Sequence, residues 1–94
     1  MSEKLVGGWS AYSAEISSEQ KEVFKTAMGK SLRVNYSRVA VATQVVSGTN
    51  YCFFCNAQVV SPNAPEEAAL VEIYAPAGGE PTVKNIQKLH HQQA

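Results

Sequence analysis

The succession of apolar and polar positions divides the chain into one short helix and a run of strands. Residues 9–16 alternate weakly and predict a short first strand. At Ser17 the signal changes: Gln20 follows three residues later, the spacing of a capping box, and Glu19 suits the positive end of the helix dipole. Val23, Phe24, Ala27 and Met28 then share one stripe, with Lys21, Glu22 and Lys25 off it. Gly29 is the expected stop and Lys30 sits near the negative end, which leaves about three to four turns. Downstream the period becomes two. Val39, Val41 and Val45 are expected on one face with Thr43 between them; Gly48 interrupts the run, and Tyr51 to Val60 resumes it. Ser61-Pro62-Asn63-Ala64-Pro65 reads as a loop and Ala69 to Tyr74 as a strand. Pro76-Ala77-Gly78-Gly79-Glu80-Pro81 reads as a second loop, and Thr82 to Leu89 as the last strand.

Strand, helix and four strands on short turns suit an α+β fold of two layers, one helix packed on a curved antiparallel sheet of four to five strands. At 94 residues the expectation is a single domain, 1–94, with a flexible arm at 1–8 and a tail at 90–94. Eleven valines support the sheet as the main layer. Charge narrows the function classes. Eight basic residues balance eight acidic ones, so a nucleic-acid or anionic-membrane surface has no excess charge to build on. Every acidic residue is Glu, which removes catalysis by an Asp dyad or an Asp-His-Ser set. No run approaches the ~18 to 20 apolar residues of a membrane span. The first residues have neither the basic start nor the apolar block of a signal peptide, so a cytoplasmic location is expected.

Cys52 and Cys55 form a C-x-x-C, a spacing met in redox and metal sites. Their setting, Tyr51-Cys52-Phe53-Phe54-Cys55, is that of a strand. Residues three apart in a strand point to opposite faces, with alpha carbons ~10 Å apart, beyond the roughly 7 Å reach of a disulfide. No helix start stands there to lower a thiol pKa. His90 and His91 could add ligands, but they read as solvated residues of a Gln-rich tail. No metal or cofactor is expected, and the thiols are read as structural.

Five of the six glycines fall in three places, Gly7-Gly8, Gly48 and Gly78-Gly79. In an antiparallel meander these three should gather at one end of the sheet. Three segments there resemble the cystatin family, and its intracellular, stefin-like members in particular. Gln44-Val45-Val46-Ser47-Gly48 matches the family's Q-x-V-x-G hairpin and continues as Thr49-Asn50-Tyr51. Leu5-Val6-Gly7-Gly8 resembles its N-terminal arm, and Glu72-Ile73-Tyr74-Ala75-Pro76 the strand leading to its second hairpin loop.

The resemblance implies a reversible, competitive inhibitor of papain-like cysteine proteases, not an enzyme. An arm and two loops would form a wedge in the partner's active-site cleft. Leu5 and Val6 would fill apolar subsites, and Gly7 and Gly8 would let the backbone pass the catalytic thiol without a Cβ in the way. Val45-Val46-Ser47 would present an apolar tip bounded by Gly48, with Pro76, Ala77 and Gly78 as the second contact. Gln44 is read as a brace for the hairpin in preference to a contact with catalytic groups. Two departures stand out. The second loop has Ala77 and Gly78 after Pro76 where many secreted members have Pro-Trp, and the stretch from Gly8 to Gln44 is short. Trp9 is read as packed on the sheet. Weaker or more arm-dependent inhibition follows, and the alternative is a non-inhibitory binding or structural module of the same fold. Cystatin-like chains also exchange the segment before the first hairpin, so monomer and domain-swapped dimer both stay open, with Val46 expected in a strained turn that favours opening.

Overall fold

The computed structural model describes residues 8–29, 34–60, 63 and 65–89. The arm residues Met1 to Gly7 and the tail with His90 and His91 lie outside them. Helix α1 (Ser18–Met28) precedes four strands: β1 (Val34–Val46), β2 (Gly48–Val59), β3 (Glu66–Ala75) and β4 (Thr82–Leu89). The strands pair antiparallel in chain order, and α1 packs on one face of the sheet, giving an α+β fold of two layers.

Local chemistry sets the helix. The Ser17 hydroxyl accepts from the Gln20 backbone N–H at 3.1 Å, while Gln20 Oε1 accepts from the Ser17 N–H at 2.9 Å. Both halves of the capping box are therefore made. At the other end Gly29 takes a φ of 61° and returns its N–H to the Lys25 carbonyl. Between the caps, Phe24 is buried, and Val23, Ala27 and Met28 pack beside it on the sheet.

The core follows from strand register. Val41, Phe53 and Val71 stand opposite one another on three successive strands and face α1 with Cys55 and Ile73. Phe53 and Ile73 are wholly buried. Phe24 meets Phe53 edge to face at 4.9 Å, Tyr51 stacks on Phe53 at 5.9 Å, and the Arg38 guanidinium lies 5.1 Å from the Phe24 ring centre. Arg38 thus closes the aromatic stack with its charge still near solvent.

Two sequence expectations are corrected. Residues 9–16 do not form a regular strand; they meet β1 at two isolated bridges, Trp9 with Gln44 and Ser13 with Val41. Between those bridges the Thr43 N–H turns to the Ser10 hydroxyl at 3.0 Å, so a side chain occupies a ladder position. Nor does Val39 join Val41 in the core. Register slips between Arg38 and Ala40, which leaves Val39 as the extra residue of a β-bulge, 39% exposed. Val41 is buried and Val45 reaches solvent at the strand's end.

Strand β4 is a sheet edge, exposed at every position except Leu89. A second register shift, opposite Glu72 and Ile73, makes Lys84 the extra residue there. A bulge and lysines on an edge both discourage pairing with another chain. Among the described residues no helix is long and apolar enough to cross a membrane.

Candidate functional site

Strand lengths bring the two turns of interest to the same end of the sheet. β1 and β2 are joined by Ser47 alone, with Val46 opposite Gly48. β3 pairs with β2 as far as Ala75 opposite Thr49, so the Pro76 turn begins beside the hairpin. Trp9 pairs with Gln44 and holds Gly8 at this end as well. Gly8, Gln44 to Gly48, and Pro76 to Gly78 are therefore neighbours; Leu5, Val6 and Gly7 are beyond the described residues.

Within the first hairpin, Val45 is 64% and Val46 36% exposed, an apolar tip without a charged side chain. Gly48 carries the turn with a φ of 113°. Val46, by contrast, is extended strand and carries no positive φ, so the strain expected at that β-branched residue is absent. A Cβ on Gly48 would lie 2.6 Å from the Ala75 carbonyl oxygen, 3.0 Å from Pro76 Cα and 3.2 Å from Tyr74 Cε1. Conformation and crowding independently demand glycine here.

The Gln44 side chain ties the two strands of the hairpin together: its Oε1 accepts from Asn50 Nδ2 at 2.8 Å across the β1–β2 pair. Asn50 Oδ1 is buried and meets no hydrogen-bond partner among the described residues. Tyr74, near the end of β3, makes the other tie. Its hydroxyl donates to the Ser47 carbonyl at the hairpin apex. Composition and spacing carry no sign of that bond; the available hint is an aromatic placed one residue before the strand's last, beside a turn.

The second loop is small. Pro76 is half-buried, whereas Ala77, Gly78 and Gly79 are exposed. The Gly79 N–H closes the turn on the Pro76 carbonyl at 3.2 Å, and Gly78 takes a φ of 75°.

Behind this end, on the face away from α1, Trp9, Tyr12, Ala42, Cys52, Leu70 and Glu72 line a groove of about 270 Å³ with Ser10. Trp9 is 46% exposed, so it is only partly packed. The Tyr12 oxygen lies 3.2 Å from Cys52 Sγ, and this hydrogen bond, then burial, then the charges of Cys52 and Glu72 push the Tyr12 phenol up to about 12. Cys55 is on the helix side, and burial pushes its thiol up to about 11 against the opposing pull of Arg38. Both cysteines are free, as their opposite orientations require. Burial, with a smaller contribution from Glu19, also raises the Tyr51 phenol.

Compared with known proteins, the chain matches no family model, no curated protein and no solved structure.

Proposed function

We propose that this chain is a reversible, competitive inhibitor of papain-like cysteine proteases, acting in the cytoplasm as a stefin-like member of the cystatin family. One observation carries the reading: the Gln44–Gly48 hairpin, the Pro76–Gly78 turn and the start of the described chain at Gly8 converge at one end of the sheet. The Q-x-V-x-G sequence and the glycine pair of the arm support it. A narrow, apolar hairpin tip, Val45-Val46-Ser47, suits a cleft that receives extended peptide backbone. The tip is held by two strands and a phenol, so little ordering entropy remains to be lost on binding. The reactive thiol belongs to the partner; Cys52 and Cys55 are both buried away from the tip.

Titration against papain tests the proposal. Activity should fall to zero near equimolar inhibitor, and Gly8→Phe should weaken the effect. Full papain activity in micromolar excess of the protein overturns the reading.

One feature favours a second reading, a non-inhibitory module of the same fold. The second loop offers the methyl of Ala77 where an aromatic anchor would supply ~2 kcal/mol or more. That module would leave papain untouched and be indifferent to removal of residues 1–6.

A further inference from the structure

We propose that the second loop serves chiefly as a buttress for the first, with Tyr74 as the positioning residue that joins them. The inference rests on the inhibitory reading for its functional consequence but not for its geometry. Three observations converge. Past Pro76 the second loop exposes Ala77, Gly78, Gly79 and Glu80, with no aromatic or large apolar side chain with which to anchor a partner directly. Pro76 and the Ala75 carbonyl instead press on Gly48, within the space a Cβ would fill. The Tyr74 ring crosses Gly48 to reach the Ser47 carbonyl, so the glycine that opens the turn also gives the phenol its path.

The bond matters because of where it lands. Ser47 is the single residue between β1 and β2, and the flanking ladder holds its peptide plane only from below. A hydrogen bond to its carbonyl fixes the orientation of the Ser47–Gly48 peptide, and hence the direction in which Val46 and Ser47 present themselves. Ordering a free apex would otherwise be charged against binding. Phenylalanine would fill the same volume beside Gly48 and leave the carbonyl unheld. Tyr74 is therefore a positioning residue, with no contact of its own to the partner required.

The Tyr74→Phe variant separates these roles. Three measurements are compared with wild type: 15N relaxation dispersion of residues 45–49 in the free protein, the thermal midpoint, and the papain inhibition constant with its dissociation rate. Exchange broadening should appear at Val46 and Gly48 while the midpoint moves by only a few degrees. The inhibition constant should rise about 3- to 10-fold, the worth of one neutral hydrogen bond, and mainly through faster dissociation. Should Tyr74→Phe fold poorly, p-aminophenylalanine at position 74, which keeps a para donor, should restore the wild-type relaxation and the wild-type inhibition constant.

Wild-type relaxation in Tyr74→Phe overturns the proposal, and so does an unchanged inhibition constant in a chain that does inhibit. If the wild-type protein leaves papain active, the inhibitory reading falls alone. The relaxation data on the free protein then decide the brace by themselves.

Discussion

Gly48 combines a φ of 113° with a backbone carbonyl where its Cβ would be. Gly48→Ala should therefore cost at least about 2 kcal/mol in denaturant unfolding, before any effect on a partner is considered. The sequence motif marks Gly48 as the boundary of an apolar hairpin tip. The inward reason for a glycine there was not legible, since Ala75 and Tyr74 lie on a strand far along the chain. The two thiols should also differ. Cys55 is fully enclosed, whereas Cys52 lies in the floor of the groove under Tyr12. With a small alkylating reagent, Cys52 should react first, and Tyr12→Ala should speed it while leaving Cys55 to react only on unfolding. Alkaline pH gives a second test of Cys55. Its folded thiol, at about 11, holds its proton more tightly than the unfolded thiol near 9.0. The associated stability is complete below pH 9.0 and is lost as pH rises towards about 11, on the order of 1–3 kcal/mol, as read from unfolding midpoints along a pH series.

At the scale of elements, α1 is held by its caps and by one deep aromatic. Ser17→Ala should remove about 1 kcal/mol by breaking the capping box, and Phe24→Ala about 3–5 kcal/mol by emptying the space against Phe53 and Arg38. Thermal or denaturant unfolding measures both, and their ratio separates local from tertiary support of the helix. This helix was legible in the sequence because its signals are local: cap, stripe and terminal glycine all lie within a few residues. Thr82 to Leu89 was legible as a separate strand because a proline loop bounds it, although its apolar residues, Val83, Ile86 and Leu89, recur every third position. The bulge at Val39 was not, because a run of alternating valines looks regular until it is set against Cys55 and Phe54 on β2. Residues 9–16 misled in another way. Their alternation is that of a strand, but Ser10 supplies a hydroxyl to Thr43 where a strand would supply a carbonyl.

For the whole molecule, the turns at Ser47 and Pro76 define one end, and the β2–β3 connection around Asn63 defines the other. The gathering of the glycine turns was inferable from strand order alone, while their mechanical linkage required side-chain positions. Oligomeric state belongs to this scale too. With Val46 in relaxed strand, the hinge lacks the strain that would drive exchange of segments, and a monomer is the expected species in size-exclusion chromatography at micromolar concentration. A dimer that loses inhibition would speak for exchange through the hairpin despite that relaxed backbone. The direction of β4 has a practical corollary. It runs from Thr82, beside the Pro76 turn, to Leu89, opposite Ala68 at the far end of the sheet. Anything attached after Leu89, whether a resin, a fluorophore or a fused protein, hangs from the handle of the molecule, whereas an attachment ahead of Gly8 sits on the blade.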